Sequence, residues 1–71
     1  MIYNRVDADG HLIARAVVMP DQKVPERFCR VAVFRFDKNV PYQVREMVPE
    51  EVAFSVAQKG LHLHPEFWSG K

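Results

Sequence analysis

Only one segment of this chain, Pro49 to Lys59, is patterned as a helix, and nearly everything ahead of it reads as strand and turn. Val52, Ala53, Val56 and Ala57 recur at helical spacing and make one apolar stripe. Proline at the first helical position gives up no hydrogen bond, Glu50 and Glu51 suit the positive N-terminal end, and Gly60 is placed to end the helix. About three turns of helix cover one face of a small sheet and no more. The fold therefore turns on what the strands do with their second face.

Ile2 to Val6 and His11 to Met19 read as strands joined by Asp7-Ala8-Asp9-Gly10, where the Asp-Gly pair supplies the positive φ of a tight turn. Pro20 and Pro25 bound the longest irregular segment, because proline donates nothing to a ladder and fixes φ. Phe28 to Phe36 is the most apolar strand and is expected at the centre of the sheet, and Asp37-Lys38-Asn39 turns it into Val40 to Val48. A three-residue turn with Asn39 left-handed opposes Phe36 to Val40, Phe34 to Tyr42, Ala32 to Val44, Arg30 to Glu46 and Phe28 to Val48. Apolar then meets apolar and opposite charges meet, which is how cross-strand pairs select a register. Leu61-His62-Leu63-His64 alternates as a short fifth strand would, stopped by Pro65. The expected architecture is α+β: a small antiparallel sheet of about four strands from two hairpins, with one C-terminal helix packed on one face, in a single domain over residues 1–71.

In the second hairpin one face carries Phe28, Ala32, Phe34, Phe36, Val40, Tyr42, Val44 and Val48, and is expected beneath the helix. The other carries Cys29, Val31, Val33 and Met47, interrupted by Arg35, Gln43 and Arg45. In the first hairpin Ile13 and Val17 lie on one side, with Leu12, Ala14, Ala16 and Val18 on the other. A sheet with one solvated face alternates more cleanly than this. Closure of the second face is left to a curled sheet, the Phe67-Trp68 tail, a second copy or a partner; bare, it is an apolar patch of the kind that marks an interaction surface. Phe67 and Trp68 serve either as interface anchors or as a plug for one end of the core. The expected partner-binding residues are Val31, Val33, Arg35, Arg45, Met47, Phe67 and Trp68.

Lys plus Arg is 10 against 9 for Asp plus Glu, so the basic excess that supplies most nucleic-acid affinity is missing. Arg35 and Arg45 on one face, with Tyr3, Phe67 or Trp68, keep nucleic-acid binding as the alternative, by phosphate pairing and base stacking. Cys29 is the only cysteine, which excludes an intrachain disulfide and points to a reducing cytoplasm. No apolar run reaches the roughly 18–20 residues that span a bilayer, and Met1 to Asp7 lacks a signal-peptide layout, so no membrane is expected.

Catalytic constellations are thin. Ser55 and Ser69 lack a setting that exposes and activates a hydroxyl. Cys29 beside Arg30 has a reading as a lowered-pKa thiol, set against that of a small core residue. Asp7 and Asp9 suit a turn, and three scattered glycines build neither a phosphate loop nor a dinucleotide fingerprint. His62 and His64 with distant His11, Cys29 and Glu66 fall short of the close-spaced pairs of a zinc site, so no metal and no cofactor are expected. The resulting expectation is a small non-enzymatic protein-binding module: an inhibitor, adaptor or regulatory subunit whose partner is another protein or a second copy as a homodimer. Chains this short are typical of phage and mobile-element accessory proteins.

Overall fold

The computed structural model describes residues 1–38 and 40–68. Four strands, β1 (Ile2–Val6), β2 (Leu12–Pro20), β3 (Phe28–Arg35) and β4 (Gln43–Pro49), form one antiparallel sheet in sequence order. One 3-10 turn (Glu50–Val52) leads into α1 (Ala53–Leu61), and a short α2 (Pro65–Trp68) follows. The α+β architecture of two hairpins and a C-terminal helix is as the residue pattern predicts. No helix among the described residues is long and apolar enough to cross a membrane.

The Asp7 carboxylate organises the first turn. Its Oδ1 accepts the amides of Asp9 and His11, each at 2.9 Å, and Gly10 takes φ 85°. In the second hairpin the expected Ala32–Val44 pair forms, Phe34 stacks on Tyr42 with ring centroids 4.9 Å apart, and Arg30 lies 3.6 Å from Glu46. Beyond that point the register slips. Met47 takes φ 58° in a bulge, so Val48 pairs with Cys29 and not with Phe28. One extra residue reverses the side to which its successors point, and Val48 joins the core under the helix instead of the Phe34 row. The left-handed turn expected at Asn39 lies outside the described residues.

The helix runs past Gly60, which is buried within it. A Cβ there would sit 2.6 Å from Val33 Cγ2, so glycine serves close approach to the sheet and not termination. Leu63 ends the helix at φ 59°. The His64 amide reaches the Lys59 carbonyl at 2.8 Å and the Leu63 amide the Gly60 carbonyl at 3.0 Å, a two-bond closure more often built on glycine. His64 Nδ1 then accepts the Glu66 amide at 3.2 Å and so opens α2. Leu61 to His64 thus closes one helix and starts the next, and the fifth strand read from its alternation does not form.

The core sits between α1 and one side of the sheet. Ala14, Ala16, Cys29, Val31, Val33 and Val48 lie beneath Ala53, Ala57, Leu61 and Phe67. This is the face opposite to the one expected to carry the helix. Size decides it: Ala14 and Ala16 on β2 meet Ala53, Ala57 and Gly60 on α1, so helix and sheet approach closely. The bulky Phe34, Phe36 and Tyr42 would hold a helix away. At the edge of the layer Tyr3 packs edge-on against Phe54 at 5.3 Å, and Arg5 Nη1 donates to the Leu61 carbonyl at 2.8 Å, tying β1 to α1.

Candidate partner-binding face

The inverted helix relocates the residues expected to touch a partner. Val31 and Val33 are fully buried under α1, and Phe67 is 4% exposed in the same core. Arg45 stacks its guanidinium 4.5 Å from the Phe67 ring centroid and donates to the Phe67 carbonyl. Arg35 donates to Asp37 Oδ1 at 2.9 Å and lies 6.0 Å from the Trp68 ring. Trp68, half-buried, donates Nε1–H to the Gly60 carbonyl at 3.4 Å. The structure therefore brings Arg35, Arg45, Phe67 and Trp68 together, but as the clasp that closes one end of the core. The tail is a plug on the helix side. Met47 alone of the seven is exposed, at the β4 bulge.

Cys29 follows the same logic. Neighbouring strand residues point to opposite faces, so Arg30 stands across the sheet from the thiol and does not activate it. The Cys29 Sγ–H donates to the Val48 carbonyl at 3.4 Å. Burial, with a smaller contribution from the Glu50 carboxylate, pushes the thiol pKa up. It lines a cleft of about 800 Å³ at the end of α1, among Tyr3, Val18, Phe28 and Phe54. A raised pKa leaves little thiolate at neutral pH. Cys29 is accordingly expected to react with a disulfide reagent at pH 8 at least about tenfold more slowly in the folded chain than in urea. Equal rates in the two states would place the thiol in an open, activating site.

The remaining candidates serve turns and caps. Asp7, Asp9 and His11 bring potential ligand atoms within 4.8 Å of one another at the first hairpin tip, where the Asp7 carboxylate already accepts two amides. His64 caps α2 and His62 is exposed. Ser55 is exposed on α1.

The face without a helix carries the other set of strand side chains. Ile2, Val17, Ala32 and Val44 are directly paired across all four strands and form a continuous apolar row. A second row runs Asn4, Arg15 and Phe34, with Tyr42 stacked beside Phe34. Phe36 extends the aromatic ridge beyond β3. Ile2, Phe36 and Tyr42 are each more than half exposed, whereas Val17, Phe34 and Val44 are half-buried. Ala32 is covered by the side chains around it yet lies outside the core cluster, as a small residue at the centre of a ridge-lined surface should. The charges on this face are mostly neutralised in place: Arg30 reaches Asp21 at 2.5 Å and Glu46 at 3.6 Å. Sequence reasoning put Ala32, Phe34, Phe36, Tyr42 and Val44 of this face under the helix. The signal it passed over was the alanines at positions 14 and 16, which mark where a helix can come close.

Comparison with protein families, with curated proteins and with solved structures finds no match for this chain.

Proposed function

We propose that this chain is a small non-enzymatic protein-binding module, an inhibitor, adaptor or regulatory subunit, and that it works through the sheet face opposite α1. One observation carries the reading: a row of apolar side chains, Ile2, Val17, Ala32 and Val44, crosses the whole sheet with no element of the described chain laid over it. Ile2, Phe36 and Tyr42 on this face are each more than half exposed, and exposed apolar side chains grouped on one face are characteristic of binding surfaces. The absence of an activated thiol at Cys29 supports a binding role over a chemical one. The nucleic-acid alternative loses the arginines it rested on, because Arg35 and Arg45 are engaged by Asp37 and the Phe67-Trp68 tail.

A tagged wild-type chain and its Val17→Asp and Val44→Asp variants, all checked for the same thermal unfolding, separate these readings. Proteins held by the wild type are expected to be lost by both variants, each introduced charge weakening binding by at least about tenfold. Retention unaffected by either charge would overturn the assignment. Oligonucleotide binding that weakens steeply with salt would instead support the nucleic-acid reading.

A further inference from the structure

The open face has the extent and the charge layout of a surface made for its own copy. We propose that two copies of this chain pack their open sheet faces together about a twofold axis over Ala32, with Arg15 of each copy against Glu46 of the other. The inference rests on the reading of that face as a protein-binding surface and names its occupant.

Extent comes first. Four strands of five to nine residues, at about 4.8 Å spacing and about 3.4 Å rise, make the open face a near-square of roughly 20 by 25 Å. A stable interface of standard size needs roughly 800 Å² from each partner. A partner that satisfies this must cover nearly the whole sheet, and a second four-stranded sheet of equal size and equal twist does so. Face-to-face sheets are a recurrent packing, about 10 Å apart.

Charge then selects a second copy over an unrelated apolar surface. Arg15 pairs with Phe34 on one side of Ala32, one strand and one residue pair away. Glu46 sits beside Arg30, one strand and one residue pair away on the opposite diagonal. Strand spacing and rise put Arg15 and Glu46 about 16 Å apart, too far to pair within one chain. Arg15 donates Nε–H to Asn4 Oδ1 at 2.8 Å and meets no carboxylate among the described residues. Glu46 is half exposed and is the looser of the two carboxylates on Arg30. An axis lying in the interface and passing over Ala32, perpendicular to the line joining the two residues, superposes each on its opposite. Arg15 then gains a carboxylate and Glu46 a second guanidinium beside Arg30, twice over by symmetry. Rim charge complementarity of this sort fixes register, while the Ile2–Val17–Ala32–Val44 row supplies the apolar burial.

Sedimentation equilibrium of the full chain, with circular dichroism to confirm folding, tests it. The wild type is expected to sediment at about twice its 8.3 kDa mass. Arg15→Glu and Glu46→Arg, both at solvent-exposed heads, are each expected to weaken the dimer at least about tenfold, and the two together to restore it to within about threefold. Val44→Asp, which sets a charge in the apolar row, is expected to give monomer. A monomer at several hundred micromolar overturns the proposal. So does a dimer indifferent to the swaps, or a double swap as weak as the singles. A monomeric wild type whose Val44→Asp variant still loses a captured protein would overturn the dimer while leaving the protein-binding reading standing. Capture unaffected by that variant would end both.

Discussion

Phe67→Ala is expected to abolish cooperative folding at room temperature. The ring is 4% exposed, lies in the core cluster with Val33 and Leu61, and is held between the Arg45 guanidinium at 4.5 Å and the Trp68 ring at 5.4 Å. Truncating a buried phenylalanine costs about 3–5 kcal/mol, through lost apolar transfer and an unfilled cavity. A single core in a chain this small supplies about 3–5 kcal/mol in all. The two numbers nearly cancel, so nothing is left to hold the rest. Urea titration followed by far-ultraviolet dichroism and by fluorescence of Trp68, the sole tryptophan, is expected to lose its sigmoidal transition. A transition kept with a loss below about 1 kcal/mol would mean that the tail merely rests on the core and does not close it.

Gly60→Ala is expected to destabilise the fold by about 1–3 kcal/mol, although alanine is the better helix former. Intrinsic propensity alone predicts a gain of about 0.8–1 kcal/mol. Contact geometry opposes it: the new Cβ would meet Val33 Cγ2 at 2.6 Å, with Val33 Cβ and Cγ1 each at 3.1 Å. Val33 is fully buried and β-branched on an inner strand, so its χ1 has little freedom to yield. The helix must lift, and Ala53 and Ala57 lift with it. Adding Val33→Ala removes the clashing methyls, so the double variant is expected to lose less than the sum of the singles. Paired denaturant curves measure this directly. Stabilisation by Gly60→Ala alone would place α1 further from β3 than the structure has it.

The strands were legible because their residues carry local instructions. Asp7 and Gly10 build the first turn from their own side chain and backbone, and the match of Ala32 to Val44 and of Arg30 to Glu46 selects the second register. Two errors had a common source in reading each residue by type alone. Gly60 was read as a helix stop, yet it is a contact with Val33, and the stop falls on Leu63, a residue type that seldom takes positive φ. Met47 was read as a regular strand residue, yet its bulge moves Val48 to the core.

Which face the helix covers was the larger question, and there alternation is silent. Both faces of β3 are apolar, Cys29, Val31 and Val33 on one and Phe28, Ala32 and Phe34 on the other, so period-two patterning finds two equivalent sides. The four sheet strands, the first turn, the approximate place of the helix and the absence of an intrachain disulfide were determined by the amino-acid sequence alone, since each depends on neighbours a few residues apart or on composition; the alternation at Leu61 to His64 suggested a fifth strand that does not form. Only the tertiary structure decided the layering: a helix settles where the summed volumes of facing side chains let it come closest, and that sum joins Ala14 and Ala16 to Ala53, Ala57 and Gly60 across the chain. Phe34, Phe36 and Tyr42 were left on the far face by the same volume rule.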